Sequence, residues 1–212
     1  MVLRSQPFGS RRPGPSAGIA ASRFVLYVEG PSDCYFLRTW AHLVSSSLAR
    51  QLAQNAVILG GRRPARAVAH FAHLSASQEG TQGALRGMCV LDRDDHAGDI
   101  TAAQPAGLEF FTWPRRHIES YLLVNSAMRR CMRMSPQDSR VGELLGDLPR
   151  HVSEDVLRDL DAKRLLASKS ARARDLGAVL SPARIAGCMN RSDLHGDVLT
   201  LLDRIKAMAA GH

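Results

Sequence analysis

The sequence has no apolar run that approaches the ~20 residues of a membrane span, and no apolar segment follows the basic residues of its N-terminus. We therefore expect neither a membrane helix nor a secretory signal. The four cysteines are far apart and form no Cys-x-x-Cys pair. This spacing argues against both a disulfide framework and a zinc site, and it is typical of a protein of the reducing cytoplasm.

Lysine is scarce, since only 3 of the 28 basic residues are lysines, and aromatic residues make up 5% of the 212-residue chain. The formal net charge of +8 is compatible with nucleic-acid binding but does not by itself indicate it. The charge is also unevenly distributed: +3 in residues 1–20, +1 in 21–125 (ten basic and nine acidic residues), and +4 in 126–212 (15 and 11). The middle segment is nearly neutral because acidic residues are concentrated there.

The pattern of apolar residues and helix breakers predicts three segments. Residues 1–20 contain the stretch RRPGPSAG and are predicted to form a flexible basic arm. Residues 21–125 are predicted to form an α/β domain, and residues 126–212 a helical C-terminal extension. Strands are expected at 24–28, 56–59, 87–91 and 108–113, and helices at about 33–54, 64–74, 117–124, 126–134, 139–149, 153–166 and 193–209.

Alternation of strands with helices in residues 21–125 predicts a mostly parallel four-stranded sheet flanked by helices. Functional groups of such sheets collect beyond the carboxyl ends of the strands. Acidic residues follow three of the four predicted strands here: Glu29 and Asp33 after the first, Asp92 and Asp94 after the third, and Glu119 after the fourth. Alternation along an extended segment would place Asp92 and Asp94 on one side, with Arg93 pointing away.

Five carboxylates at one sheet edge would repel one another unless cations neutralise them. Ligands that are all oxygen suit Mg²⁺ or Mn²⁺. One ion, or two about 4 Å apart, could act on a phosphodiester at such a site. For any one of these acids alone, a helix cap or a surface charge is the more ordinary role, so the prediction depends on their grouping.

Three motifs in this order resemble the Toprim domain, in the form found in nucleases of the overcoming-lysogenization-defect (OLD) type. The first is Val28-Glu29-Gly30-Pro31-Ser32-Asp33 before a helix. The second is Leu91-Asp92-Arg93-Asp94-Asp95, and the third is Arg116-His117-Ile118-Glu119-Ser120-Tyr121-Leu122-Leu123. Gly60-Gly61 also resembles the glycine pair after the second strand of that family. The resemblance covers about residues 24–124, and the helical tail more loosely.

The resemblance implies a Toprim (Rossmann-like) fold and metal-dependent cleavage of phosphodiester bonds in DNA or RNA, in bacterial defence against phages or mobile elements. It implies that the five acids bind one or two Mg²⁺ or Mn²⁺ ions, and that Glu29, Asp92 and Asp94 take part in catalysis. The segment Asp161-Ala162-Lys163-Arg164-Leu165-Leu166 resembles the one that carries a functional lysine in OLD-like enzymes, which makes Lys163 the candidate for stabilising charge on the phosphate. An ordinary solvated helix charge is an equally good interpretation of Lys163.

Arginines near the predicted catalytic edge are candidates for contacts with the nucleic acid. Glycines before a helix allow a close approach of the backbone, and arginines at a helix start suit phosphate. The candidates are Arg62, Arg63, Arg66, Arg115 and Arg116. Tyr35 and Tyr121 are predicted to lie on apolar helix faces, so neither is expected to act as the nucleophile of a topoisomerase.

The sequence departs from full OLD proteins because it contains no G-x-x-x-x-G-K-[ST] motif, the phosphate-binding loop of the ABC-type ATPase that those proteins carry. The chain is therefore expected to work alone or with a separate ATPase subunit. The alternative function is that of a non-catalytic nucleic-acid-binding or regulatory Toprim subunit working with such an ATPase. A homodimer is left open, and no membrane partner is expected.

Overall fold

A computed structural model describes residues 23–77, 84–94, 104–133, 135, 137–146 and 153–210. The predicted arm of residues 1–20 and the last aspartate of the second motif, Asp95, lie outside these residues. None of the helices formed by the described residues combines the length and apolar character needed to cross a membrane. The boundary predicted at residue 125 stays a prediction.

Four parallel strands form one sheet in the order β2-β1-β3-β4. The strands are β1 (Phe24–Val28), β2 (Ala56–Ile58), β3 (Arg86–Leu91) and β4 (Leu108–Thr112). In the two central strands, β-branched, aromatic and other apolar residues are buried on both faces, which is typical of a parallel sheet covered by helices. The predicted α/β class, with a Toprim-like parallel four-stranded sheet, flanking helices and a helical C-terminal extension, is confirmed.

The two faces of the sheet belong to two separate apolar clusters. Alternate residues Leu26 and Val28 of β1 join the larger cluster, which also contains most of the buried apolar residues of the C-terminal helices. Their neighbours Val25 and Tyr27 join a smaller cluster that includes Phe71 from the helix α3 (Pro64–Ser77). The period of two along the strand thus places one face against α3 and the other in the larger cluster.

The long helix predicted over 33–54 is two helices, α1 (Pro31–Val44) and α2 (Ser46–Asn55). Ser45 separates them because its backbone is extended and its side-chain oxygen caps α2 by accepting a hydrogen bond from the Leu48 amide. At the other end, α1 begins at Pro31, and Gly30 is its N-cap. Proline is well suited to this first helical position.

The predicted helix at 117–124 is a 3₁₀ helix, Ile118–Leu122. The helix predicted over 153–166 is also divided, because Asp161 caps a new helix by accepting a hydrogen bond from the Arg164 amide. The C-terminal elements are α4 (Asn125–Met132), α5 (Ser139–Leu145), α6 (Glu154–Asp159), α7 (Ala162–Asp175), α8 (Pro182–Gly187), the 3₁₀ turn Arg191–Asp193, and α9 (Gly196–Ala210). The extension thus contains more helices than the three or four that the sequence predicts.

Tyr121 is buried, as predicted, but Tyr35 is 45% exposed. The predicted place of Tyr35 on an apolar face of α1 is therefore wrong. The residues that α1 buries are Phe36, Leu37, Trp40 and Ala41, which form the stripe facing the sheet. Tyr35 lies beside that stripe and contacts Phe36 edge-on, with 6.1 Å between the ring centroids.

Candidate active site

Glu29 and Asp92 follow neighbouring strands and lie in direct contact at the carboxyl edge of the sheet. The Asp92 amide donates a hydrogen bond of 2.7 Å to Oε1 of Glu29. The register of β1 against β3 produces this contact, because Val28 pairs with Val90 and both chains then leave the sheet together. The predicted grouping of the first and second motifs is therefore realised in the fold.

The Gly60-Gly61 pair after β2 holds the backbone of Glu29 in place. Both glycine amides donate to the Glu29 carbonyl, at 3.0 and 2.9 Å. The glycines have φ values of 76° and 107°, a region that residues with a side chain rarely adopt. The two amides therefore converge on one carbonyl at little conformational cost, and they fix the start of the loop that carries Glu29.

Asp33 is held in the first turn of α1 by its own helix start. The Gly30 amide donates a hydrogen bond of 2.8 Å to Oδ2 of Asp33. This contact satisfies one of the amides that a helix N-terminus leaves without a partner in the helix. Because Gly30 directly follows Glu29, the same turn keeps Asp33 near enough to Glu29 for the two charges to interact.

Asp94 does not continue the extended segment that the sequence predicts. Its φ is 47°, a left-handed conformation that aspartate tolerates better than most residues, and its amide donates to the Arg116 carbonyl at 3.1 Å. The side chain lies 3.5 Å from His117, between Oδ1 and Nε2. The charge of Asp94 still acts on Glu29, although alternation is not what directs it.

The third motif places Glu119 opposite Asp92. The Ile118 amide donates a hydrogen bond of 2.8 Å to Oδ1 of Asp92, which fixes the first turn of the 3₁₀ helix on that carboxylate. Lys163, at the start of α7, reaches both acids: its Nζ lies 2.8 Å from Oδ2 of Asp92 and 3.8 Å from Oε2 of Glu119. The lysine from the helical extension therefore lies within the group of acids.

Burial, and after it mutual repulsion, raises the pKa of three of these carboxyl groups: Glu29, Asp33 and Glu119. Burial raises the pKa of Glu29 to about 7, and the charges of Asp92, Asp94 and Asp33 act in the same direction. Burial likewise raises the pKa of Asp33 to about 6 and that of Glu119 to about 7, and Lys163 opposes both shifts. The charge of the acids is thus only partly compensated by the protein itself.

The donor set fits a hard divalent cation. The five acids offer only carboxylate oxygens, and Oε2 of Glu119, a buried atom of a half-buried side chain, accepts no hydrogen bond from the described part of the chain. A cation would also offset the repulsion that adds to the effect of burial on the three pKa values. No three of the described acids here bring one oxygen each within 4.8 Å of one another, so the ligands would draw closer together around an ion.

His117 belongs to this site but was not among the predicted site residues. Its side chain is 8% exposed, lies between Asp94 and Asp161, and has its pKa lowered by burial and then by Lys163. The sequence offered one signal, which is that His117 stands two residues before Glu119 in the third motif. The helical pattern of the third motif does not predict that His117 contacts Asp94, because this contact depends on the left-handed turn at Asp94.

The predicted arginines differ in what they offer to a ligand. Arg63 is exposed, Arg66 donates to the Leu59 carbonyl at 2.8 Å while staying exposed overall, and Arg62 donates to the Asp92 carbonyl. Arg116 is half-buried. Arg115 is buried and ion-paired with Glu154, so its predicted place on the nucleic-acid surface does not agree with the structure.

No family model and no curated protein sequence matches the chain. The chain is similar in structure to the C-terminal region of the Xanthomonas campestris pv. campestris OLD protein. The structure of that region phased with iodine has 14% sequence identity to this chain and a TM-score of 0.48. The comparison covers 90% of this chain and 97% of that chain. For the structure phased with platinum, the identity is 13% and the TM-score 0.48, and the comparison covers 91% of this chain and 96% of that chain.

A second polar cluster lies behind the third motif. Glu154, His195 and Asp197 each bring one ligand atom within 4.8 Å of the others, a spacing that would suit a metal ion. Donors of the chain already engage its carboxylates, because Arg115 binds both oxygens of Glu154 and the Tyr121 hydroxyl donates to Oδ2 of Asp197 at 2.7 Å. This cluster therefore anchors the segment that carries Glu119 to α6 and α9.

Proposed function

We propose that the chain is a metal-dependent nuclease that hydrolyses phosphodiester bonds in DNA or RNA. The observation that carries the proposal is the convergence of the three motifs. Glu29 accepts a hydrogen bond from the Asp92 amide, and the Asp92 carboxylate accepts one from the 3₁₀ helix that carries Glu119. The ammonium of Lys163 lies beside both Asp92 and Glu119. A purely structural role would not require several half-buried carboxylates with raised pKa values at the edge of the sheet where α/β proteins bind ligands.

Glu29, Asp33, Asp92, Asp94 and Glu119 would hold one or two Mg²⁺ or Mn²⁺ ions. When bound, such ions supply Lewis-acid polarisation of the phosphate and a water that loses its proton more readily. Glu29 would also accept a proton from the attacking water, and in the metal-free chain burial raises its pKa to about 7. Its hydrogen bond from the Asp92 amide orients one oxygen and leaves the other for this role.

Lys163 would stabilise negative charge that builds up on the phosphate oxygens in the transition state. Its side chain is 48% exposed, and its position beside Asp92 and Glu119 directs the ammonium toward the site. Although desolvation opposes it, the hydrogen bond and charge of Asp92 raise the pKa of Lys163, so it stays protonated. Arg63, Arg66 and Arg116 would supply positive charge toward the nucleic-acid backbone.

The finer parts of the proposal depend on the resemblance to the OLD-type Toprim domain. They are endonucleolytic cleavage, a role in defence against phages or mobile elements in the bacterial cytoplasm, a separate ABC-type ATPase subunit, and a homodimer. The alternative, a non-catalytic subunit that binds nucleic acid, differs in one measurable respect, because it predicts no turnover under any metal condition.

The decisive experiment incubates the full chain with plasmid DNA and with total RNA in Mg²⁺, in Mn²⁺ and in EDTA. We expect cleavage in the presence of metal and a decrease of at least about 10²-fold in Asp92→Asn, which keeps the size of the side chain but removes its charge. Asp203→Asn, at an exposed position of α9, is the matched control. Metal-dependent cleavage that Asp92→Asn leaves unchanged would overturn the site, and absence of cleavage with intact binding would favour the non-catalytic alternative.

A further inference from the structure

A groove of about 770 Å³ runs along the outer surface of α1 and α2, on the side away from the sheet. One wall comes from these two helices and the other from α8 and the residues that follow it. The groove begins at Tyr35, two residues beyond Asp33 on the same helix, and so starts at the end of α1 that carries the candidate active site. Its lining includes Tyr35, Arg38, His42, Arg50, Gly187 and Met189.

The charge of the groove is of one sign. Arg38, His42 and Arg50 line it and are exposed, and none of its lining residues is acidic. Arg38 and His42 are four residues apart, which places them on the same side of α1 and about 6 Å apart along its axis. The two arginines give the open groove a positive charge that complements a chain of phosphates.

The floor of the groove is apolar and its open end carries an aromatic ring. Leu43, Ala49 and Met189 contribute the floor, and Tyr35 is 45% exposed at the end nearest Asp33. Tyr35 is held edge-on against Phe36, and the opposite wall at Gly187 has no side chain to cover its hydroxyl. The face of an exposed tyrosine can stack on a nucleic-acid base, provided that the base is not already stacked and paired.

We propose that this groove binds an unpaired nucleic-acid strand, DNA or RNA, with Tyr35 stacking on a base and Arg38, His42 and Arg50 following the backbone. The proposal rests on the proposed nuclease function, since a strand that leaves the groove at Tyr35 would pass around the first turn of α1 to reach Asp33 on its other side. A duplex presents its bases edge-on in the grooves, so it offers Tyr35 no face except at an end. The groove thus specifies the substrate class as single-stranded, or as a duplex with an unpaired end.

The proposal can be tested by binding alone, without cleavage. Fluorescence anisotropy in EDTA would measure the Kd of the full chain for a labelled strand of roughly 20 nucleotides, as DNA, as RNA, and as each annealed to its complement. We expect the single strands to bind more tightly than the duplexes. Tyr35→Ala should weaken single-strand binding by about 5- to 100-fold, while Tyr35→Phe, which keeps the ring, should bind like the wild type.

Arg38→Ala should weaken binding of both strands and reduce the slope of log Kd against log salt concentration by about 0.7, because one phosphate no longer has a cationic partner. Arg86→Ala is the control, because Arg86 is an exposed arginine at the start of β3, at the opposite edge of the sheet. Comparison of the DNA and RNA arms identifies which strand the groove prefers. Equal Kd values for Tyr35→Ala and wild type, or tighter binding of the duplexes, would overturn the proposal.

A second copy of the chain is the other occupant that an apolar floor could accept, and light scattering measures it directly. A dimer that Tyr35→Ala converts into a monomer, with no change in strand binding, would overturn the proposal in favour of a protein interface. The proposed nuclease fails independently: a chain that binds strands through Tyr35 but cuts nothing in Mn²⁺ keeps the groove and lacks the activity. Cleavage that depends on Asp92 but not on Tyr35 or Arg38 would support the nuclease activity and overturn the groove as the site that binds the strand.

Discussion

The ammonium of Lys163 lies 2.8 Å from Oδ2 of Asp92, although 71 residues separate the two in the chain. The contact joins the helical extension to the edge of the sheet, because Lys163 belongs to the first turn of α7 and Asp92 directly follows β3. Asp92 is almost fully buried, and it also accepts the Ile118 amide. One carboxylate therefore connects three segments of the site.

Replacing Lys163 by methionine keeps most of the apolar stem and removes the charge. We expect Lys163→Met to lower the rate of cleavage by about 10²- to 10³-fold, since it removes a preorganised charge directed at the phosphate. Single-turnover cleavage in Mn²⁺ measures this directly. The melting temperature should fall more in EDTA than in Mn²⁺, because a bound cation takes the place of the ammonium beside Asp92.

Lys206→Met is the matched control, since Lys206 is an exposed lysine of α9. It should cleave and melt like the wild type. If Lys163→Met cleaves at the wild-type rate, Lys163 has only a structural role, and the catalytic role that the resemblance implies for this lysine is wrong. Lys163→Arg separates charge from geometry, because it keeps the charge on a larger head group.

Gly87 in β3 lies where a side chain would collide with the core. A Cβ at this position would stand 2.8 Å from the ring of Phe71 and 3.0 Å from Leu108, both buried. We expect Gly87→Ala to cost about 1–3 kcal/mol of unfolding free energy, which at this chain length lowers the melting temperature by roughly 2–12 °C. Gly142→Ala in α5, where a Cβ meets nothing within 4 Å, should be neutral or stabilising. Equal melting temperatures for the two variants would contradict the packing of α3 on β3.

The sheet and the grouping of the acids could be predicted because both depend on local patterns. Runs such as Phe24–Val28 are apolar throughout, and parallel strands place their carboxyl ends at one edge, so Glu29 and Asp92 had to come together. The exact boundaries of helices were less predictable. Ser45 and Asp161 each end one helical pattern and begin another through a side-chain cap, and the spacing of apolar residues continues across both.

Long-range partners of polar side chains were not predictable from the sequence. Arg115 has the same local setting as Arg116, yet it is buried against Glu154, 39 residues later. Tyr35 and Tyr121 both stand in helical patterns, yet one is exposed and the other donates to Asp197. Such differences depend on how α6, α8 and α9 pack, and no local pattern records that packing.

Stability without metal should depend on pH because three site carboxyls have raised pKa values. Burial raises the pKa of Glu29 and of Glu119 from the usual 4.5 to about 7 in the folded protein, so the folded state binds more protons than the unfolded state between these pH values. The free energy of unfolding then falls as pH rises through this window and levels off above about 7. Differential scanning fluorimetry in EDTA should show a melting temperature that decreases from pH 5 to pH 8.

Mn²⁺ should raise the melting temperature more at pH 8 than at pH 5, because protons and the cation compete for the same carboxylates. Glu29→Gln should flatten the pH profile in EDTA and reduce the effect of Mn²⁺. Glu143→Gln, at an exposed position of α5, is the control and should change neither. An equal effect of Mn²⁺ at both pH values in the wild type would show that the five acids do not form the cation site.

Tyr121 tests whether the cluster behind the third motif positions Glu119. Its ring packs 4.8 Å from Trp113 and under the Arg115 guanidinium, and its hydroxyl donates to the Asp197 carboxylate. Tyr121→Phe removes only that hydroxyl. A buried hydrogen bond to a charged group contributes about 1.5–3 kcal/mol, so the melting temperature should fall by roughly 3–12 °C.

Because Tyr121 and Glu119 share one short 3₁₀ helix, the same variant should also reduce the stabilisation by Mn²⁺ and the rate of cleavage. Tyr35→Phe removes the same atom from an exposed ring and should change the free energy of unfolding by less than about 0.5 kcal/mol. A Tyr121→Phe protein that melts lower but keeps the full Mn²⁺ effect would limit the cluster to a structural role. If Tyr121→Phe melts like the wild type without metal but is no longer stabilised by Mn²⁺, the hydroxyl acts on Glu119 alone.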